Sequence, residues 1–68
     1  MIMENTIRVE RAKKKITQAE LAEKVNVSRQ TIHAIETGKF IPSTVLALKI
    51  AKFFKVKFED IFKLEEGD

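Results

Sequence analysis

Four polar side chains crowd the stretch VSRQTIHAIETGK and have little apolar sequence around them to pack against: they are Arg29, Gln30, Thr31 and His33. These residue types can hydrogen-bond to a partner. They do not suggest catalysis, because the sequence shows no nucleophile, base and orienting group that belong together. The question is therefore why so small a protein would give one of its few helices to side chains that its own core does not use.

The remaining candidates for chemistry have simpler explanations. Glu59 and Asp60 are adjacent carboxylates, and they fall at the start of a predicted short helix, where negative charge complements the helix dipole. The sequence has no cysteine and no cluster of His, Asp and Glu at ligand spacing. We therefore expect no enzyme, no metal, no cofactor and no small-molecule substrate.

The positive charge of the sequence is unevenly distributed. The net charge is +3, and residues 1–42 hold eight Lys/Arg against five Asp/Glu, whereas residues 43–68 hold five of each. A basic region that includes the polar stretch favours an anionic partner such as nucleic acid. Simple solvation of the surface is the alternative, because many small domains carry such a charge by chance.

The sequence predicts a cytoplasmic location. No apolar run approaches the roughly 20 residues that a membrane span needs, and the opening MIMENTIRVE lacks the apolar length of a signal peptide. The absence of cysteine agrees with a reducing compartment.

Start and stop signals predict three short helices in the first part of the chain. Helix 1 should run from about Thr6 to Lys14 with Asn5 as its cap, and the capping box TQAE, residues 17–20, should start helix 2. We expect helix 2 to end near Val25, where Asn26 tolerates a left-handed backbone. Ser28 should then cap a third helix, about residues 29–37, which Gly38 ends.

The C-terminal third predicts a longer apolar helix, a short helix and an extended end. Helix 4, with the sequence VLALKIAKFF, should be capped by Ser43 or Thr44 and end near Phe54. Lys55 follows where a glycine would be expected. A fifth helix should span about residues 58–62, and the alternating tail after it could pair with residues 1–4 as a two-stranded ribbon, with a frayed tail as the alternative.

Helices 2 and 3 and their tight turn have the layout of a helix-turn-helix, in which the second helix enters the DNA major groove. The segments TQAELAEKVNVSRQTIHAIETGK and PSTVLALKIAKFFKVKFEDIF resemble the Cro/lambda-repressor-like (XRE) family over about residues 6–62. The resemblance implies an all-α, five-helix domain spanning residues 1–68, to which the small ribbon could be added. The helix-turn-helix would occupy about residues 17–37 and a dimerisation region about residues 45–66.

The resemblance also implies roles for individual residues. Bases would be contacted by Arg29, Gln30, Thr31 and His33, since Arg can bind guanine and Gln adenine in bidentate fashion. DNA phosphates would be contacted by Thr17, Gln18, Thr37 and Lys39. Arg11 and Glu36 would form a structural ion pair between helix 1 and the end of helix 3.

Several positions depart from the family pattern, among them Phe40 and Ile41, which follow Lys39 where other members are often more polar. Asn26 stands in the turn where many relatives have glycine, and we expect the turn to survive because asparagine is the least damaging replacement. Ala34 stands where some phage repressors carry a long polar side chain, which predicts fewer direct base contacts here.

Surplus apolar residues in the C-terminal third favour a homodimer, because an exposed apolar patch often marks an interface. They are Val45, Leu48, Phe53, Phe62 and Leu64. The alternative is one core that uses all five. A dimer would bind double-stranded DNA at a pseudo-palindromic operator, as expected of a transcriptional regulator and more specifically a repressor. A protein–protein adaptor or antitoxin-like module with the same fold is the competing interpretation.

Overall fold

Five helices and a small antiparallel ribbon make up the protein in a computed structural model that describes residues 3–64 and, for Met3, the backbone only. The elements are β1 (Met3–Asn5), α1 (Ile7–Lys14), α2 (Gln18–Val25), α3 (Arg29–Glu36), α4 (Thr44–Phe54), α5 (Phe58–Ile61) and β2 (Phe62–Leu64). The predicted fold class is confirmed, and each of the five predicted helices is present within about one residue of its expected bounds.

The ribbon joins the two ends of the described chain. β1 and β2 are antiparallel, with Met3 opposite Leu64 and Asn5 opposite Phe62. Residues 1, 2 and 65 of the predicted ribbon lie outside the described residues. Beside the ribbon, the backbone N–H of Thr6 donates to the carbonyl of Ile61 at 2.9 Å, which ties the start of α1 to the end of α5. A ribbon too weak to form alone is therefore supported by the helices next to it.

Side-chain caps determine where three of the helices begin. Thr17 forms the predicted capping box, because its hydroxyl accepts from the Glu20 N–H at 3.0 Å and the Glu20 carboxylate accepts from the Thr17 N–H at 2.9 Å. Ser28 caps α3 and Ser43 caps α4 in the same way, each accepting from the N–H three residues on. These caps fix the directions in which α2, α3 and α4 leave their turns.

Three helices end at a residue with a left-handed backbone that is not glycine. Lys15, Asn26 and Lys55 have φ of 58°, 60° and 57°. Asparagine adopts this backbone region with little loss of stability, whereas in lysine the Cβ makes the same conformation sterically unfavourable. Tertiary packing of the helices on either side must therefore outweigh the local preference at Lys15 and Lys55.

One apolar core joins all five helices and β2. Its centre consists of fully buried aliphatic side chains from α1 to α5: Ile7, Leu21, Ile32, Ile35, Ile50 and Ile61. Ala22 and Ala47 allow α2 and α4 to approach closely, and Phe54 closes the core from the end of α4. The core thus holds α2 and α3 in a fixed relation while the opposite side of α3 remains outside it.

Within residues 3–64, no helix has the length and apolar character needed to cross a lipid bilayer.

Candidate nucleic-acid interface

The turn between α2 and α3 is built by three residues with distinct local roles. Asn26 takes the left-handed conformation, and the N–H of Val27 then donates to the Ala22 carbonyl at 3.0 Å. Ser28 is extended and caps α3. Leu21 and Val25 of α2 are buried in the same cluster as Ile32 of α3. Two short helices around such a turn form a helix-turn-helix.

The N-terminal end of α3 presents polar side chains to solvent. Arg29 and Gln30 are exposed, and neither side chain has a hydrogen-bond or ion-pair partner among the described residues. Thr31 is half-buried, and its hydroxyl lies 3.0 Å from that of Ser28, within the cap. His33 is exposed one turn further along. The structure therefore places the four predicted base-contacting residues on the first turn and a half of α3, with Arg29 and Gln30 the most available.

A buried ion pair connects α1 to the end of α3. The Glu36 carboxylate accepts from Arg11 Nε at 2.7 Å and from Arg11 Nη2 at 3.1 Å, while Arg11 Nη1 donates to the Ile16 carbonyl at 3.0 Å. The Glu36 side chain is 1% exposed and that of Arg11 is 16% exposed. The predicted pair thus has bidentate geometry, which fixes the relative orientation of the two side chains and strengthens the interaction between them.

Two further side chains complete the surroundings of Glu36. Gln18 Nε2 donates to Glu36 Oε1 at 3.1 Å, and Arg8 Nε lies 3.9 Å from the same oxygen. Burial by itself raises the pKa of Glu36, but the hydrogen bonds from Arg11 and Gln18 and the charges of Arg11 and Arg8 outweigh it and hold the pKa below its ordinary value of 4.5. Glu36 is therefore the negative centre of a positively charged corner between α1, α2 and α3.

The four residues predicted to contact phosphate differ in availability. Lys39 is exposed, and Thr17 is exposed while its hydroxyl serves the cap of α2. The Thr37 hydroxyl donates to the carbonyl of His33 at 3.0 Å. Gln18 is half-buried and already bonded to Glu36. The structure therefore groups them along the edges of α2 and α3, but only Lys39 has an uncommitted side chain.

Arg8 also belongs to this face, although it was not among the site residues predicted from the sequence. Its side chain is 74% exposed and reaches the corner formed by Glu36 and Gln18. The signal was available, because Arg8 and Arg11 are three residues apart on one helix and therefore share a face. Arg8 adds an exposed positive charge beside the N-terminus of α2, where a helix already favours anions.

The five apolar residues predicted to form a dimer surface do not share one environment. Val45, Leu48 and Leu64 are 65%, 52% and 53% exposed. Phe53 is half-buried, with its ring edge-on to that of Phe54 at 5.1 Å. Phe62 is 4% exposed and belongs to the core, so its place in the predicted surface must be corrected. As the first residue of β2 it turns inward beside Ile61 and cannot offer a face to a second chain.

Among residues 3–64, no three His, Asp or Glu side chains are grouped closely enough to hold a metal ion.

Phe40 and Ile41, which follow Lys39, are exposed apolar residues in the loop after α3. They extend the face beyond α3 with surface that is apolar but not charged.

Comparison with known proteins agrees with this geometry. A family model described as helix-turn-helix matches residues 7–61. An uncharacterized HTH-type transcriptional regulator of Methanocaldococcus jannaschii is 56% identical over 66 residues, which cover 97% of this chain and all of the relative. A second, from Bacillus subtilis, is 50% identical over 64 residues, or 94% of this chain and 97% of the relative.

A solved structure is similar over almost its whole length. The crystal structure of a Bacteroides fragilis protein assigned as DNA-binding superposes with a TM-score of 0.79 at 31% identity, covering 90% of this chain and 98% of that one. The chain therefore belongs to the Cro/lambda-repressor-like (XRE) helix-turn-helix family. This is a family of DNA-binding transcription regulators and not of enzymes.

Proposed function

We propose that the protein is a sequence-specific transcription regulator that binds double-stranded DNA through α3. The observation that supports this most directly is the exposed N-terminal end of α3, where Arg29 and Gln30 make no hydrogen bond to the rest of the described chain. An α-helix fits the major groove, where an Arg fork can bind guanine and a Gln amide can bind adenine. Thr31 and His33 would contribute from the same helix end.

Contacts to phosphate would fix the register of α3 in the groove. Thr17 and Gln18 lie at the N-terminus of α2, whose unpaired N–H groups and dipole favour an anion. Thr37 and Lys39 follow α3, whose last residue, Glu36, accepts a hydrogen bond from Gln18, so both sets lie towards the C-terminal end of α3 and would bind phosphates there. Arg8, which is exposed beside Gln18, would join the first set.

A homodimer would allow this small surface to select a site. One α3 reads only a few base pairs, whereas two copies related by a two-fold axis read half-sites about 34 Å apart in a pseudo-palindromic operator. Exposed apolar side chains on α4 and β2 support a self-association surface: Val45, Leu48 and Leu64. Half-buried Phe53 would contribute its edge, and Phe62 would not take part.

Repression by occupancy is the simplest regulatory consequence. A dimer on its operator in the cytoplasm would exclude polymerase from an overlapping promoter without needing a ligand or a second domain.

The exposed acidic residues of α5, Glu59 and Asp60, are explained by the helix dipole and need no further role.

Selection of bound sequences from random DNA duplexes tests the proposal. We expect a preferred sequence with two-fold symmetry and an affinity that falls steeply as salt rises, because phosphate contacts release counterions. Arg29→Ala should change the selected bases, whereas Lys57→Ala, which removes one charge outside the helix-turn-helix, should not. A protein that binds no duplex even at low salt is an adaptor with this fold, and a selected site without symmetry would refute the homodimer.

A further inference from the structure

The side-chain amide of Gln18 is held between two residues of α3. Its Nε2 lies 3.1 Å from Glu36 Oε1 and 3.4 Å from His33 Nδ1. A carboxylate can only accept hydrogen bonds, so the amide atom facing Glu36 must be the nitrogen. One N–H of Gln18 therefore points to Glu36 and the other towards the imidazole, while the amide oxygen faces away from both.

This orientation is the wrong one for binding DNA. A phosphate oxygen accepts hydrogen bonds, yet one N–H of Gln18 is bound to Glu36, and the other faces His33 Nδ1, which accepts it in the neutral tautomer that carries the proton on Nε2. The bond to Glu36 is charge-assisted and its carboxylate is 1% exposed, so it is costly to break. The contact with His33 is exposed and long, and it is the one that can yield to a phosphate.

The protonation state of His33 decides whether that donor is available. Neutral imidazole with its proton on Nε2 accepts at Nδ1, but a protonated imidazole has two donors and no acceptor. We propose that His33 is a positioning residue for Gln18: its protonation releases the outer N–H of Gln18 to a DNA phosphate, so that DNA affinity rises as the pH falls. This inference rests on the proposed DNA binding.

The charges around His33 are those of three helices. On α3, Glu36 follows His33 by three residues and Arg29 precedes it by one turn. From α1, Arg11 neutralises Glu36 in a bidentate pair and Arg8 lies 3.9 Å from it. On α2 the contact is Gln18 itself, and the acid in the first turn of that helix, Glu20, is committed to its cap.

The chain offers a simple setting for a pH titration. His33 is its one histidine, so a change of DNA affinity between about pH 5 and 8 has no second imidazole as its source. Glu36, whose pKa lies below 4.5, stays ionised throughout that range. The α1–α3 ion pair therefore remains in place across the pH range of the experiment.

Fluorescence anisotropy with a duplex of about 20 base pairs, long enough for two half-sites, tests the proposal between pH 5.5 and 8. The duplex carries no terminal phosphates, since these titrate near pH 6, and ionic strength is held at about 50 mM so that phosphate contacts dominate. We expect binding to be about tenfold tighter at pH 5.5 than at pH 8, the effect of one added hydrogen bond to a charged group.

Two variants separate this mechanism from a direct contact of His33 with DNA. Gln18→Ala should abolish most of the pH dependence, because no amide remains to be released. His33→Asn keeps an acceptor near the position of Nδ1 but cannot take up a proton, so its affinity, lowered at every pH by the lost base contact, should no longer change with pH. A Gln18→Ala protein that retains the full pH dependence would overturn the proposal, as would a wild-type affinity that does not change with pH.

Spectroscopy of the free protein distinguishes failure of this inference from failure of DNA binding. If no duplex binds at any pH, the proposed function fails, whereas the coupling of the two side chains is measured separately by NMR. The Gln18 side-chain N–H resonances should shift with the same midpoint as the His33 ring protons. Resonances of Gln18 that ignore the titration of His33 would refute the relay even in a protein that binds DNA.

Discussion

Replacing Glu36 with glutamine tests the ion pair that connects α1 with the end of α3. The wild-type carboxylate accepts two hydrogen bonds from Arg11 and one from Gln18, at 2.7, 3.1 and 3.1 Å. The amide of Glu36→Gln offers one acceptor oxygen, and its NH₂ group must face a donor of Arg11 or Gln18. One or two hydrogen bonds to a charged group are lost, and Arg11 keeps a charge that is only 16% exposed.

The expected loss of stability is large for a chain of this size. Each lost hydrogen bond to a charged group contributes about 1.5 kcal/mol, so Glu36→Gln should lower the free energy of unfolding by about 2–3 kcal/mol at pH 7. A domain of this length has about 3–10 kcal/mol in total. Thermal unfolding followed by circular dichroism should show a Tm about 10–20 °C lower than that of the wild type.

The pH dependence of this difference identifies its cause. The pKa of Glu36 is below 4.5 in the folded protein, so its contribution is fully present above that pH and is lost as the pH falls through the folded value. Every other carboxylate is present in both proteins, and its titration cancels in the comparison. The stability gap between wild type and Glu36→Gln should therefore be constant from pH 7 to about pH 4.5 and shrink as the pH falls further towards 3.

A matched substitution controls for the change from acid to amide. Glu23 is exposed on α2 and makes no hydrogen bond through its side chain among the described residues. Glu23→Gln should change the free energy of unfolding by no more than about 0.5 kcal/mol. A gap for Glu36→Gln that is the same at pH 7 and pH 3 would show that packing, and not the charge of the carboxylate, supports this corner.

Three further predictions concern binding, assembly and local strain. Arg29→Ala should weaken binding to the selected site by about 1–3 kcal/mol and relax the base preference there. Lys39→Ala should weaken binding to all duplexes alike and reduce the slope of log affinity against log salt by about one. An equal loss for all sequences with Arg29→Ala would contradict base reading. Leu48→Glu should give a folded monomer by sedimentation, with Lys49→Glu as an exposed control on the same helix, and an unchanged sedimentation profile would contradict the α4 surface. Lys55→Gly should raise the free energy of unfolding by about 1 kcal/mol, because glycine accepts φ near 57° without the steric cost of a Cβ, and no gain in Tm would show that the turn is not strained.

Much of the fold follows from local signals that can be recognised in the sequence. The capping box at Thr17 and Glu20 needs only its own four residues, and Ser28 and Ser43 likewise act within one turn. The left-handed end of α2 at Asn26 was predictable because the residue type itself tolerates that conformation. The family resemblance added the partners Arg11 and Glu36, which are 25 residues apart and which no local rule would join.

Side-chain exposure near the C-terminus could not be predicted in the same way. Phe62 and Leu64 are both apolar and two residues apart, yet Phe62 is buried while Leu64 is exposed. The alternation of a strand says that residues two apart share a face, but it does not say where the core ends along that face. That boundary is set by how far α5 and the core around it extend beside β2.

The sequence by itself determined the helices, their caps and the polar residues of α3, because these depend on interactions between near neighbours and on a motif of fixed spacing. Only the tertiary structure decided which side chains of α1 and α2 meet the end of α3. Contacts such as Gln18 with His33 and Glu36, and Arg8 with Glu36, arise where three helices converge. Their distances depend on how the buried core sets the angles between the helices, and no single segment of the chain encodes those angles.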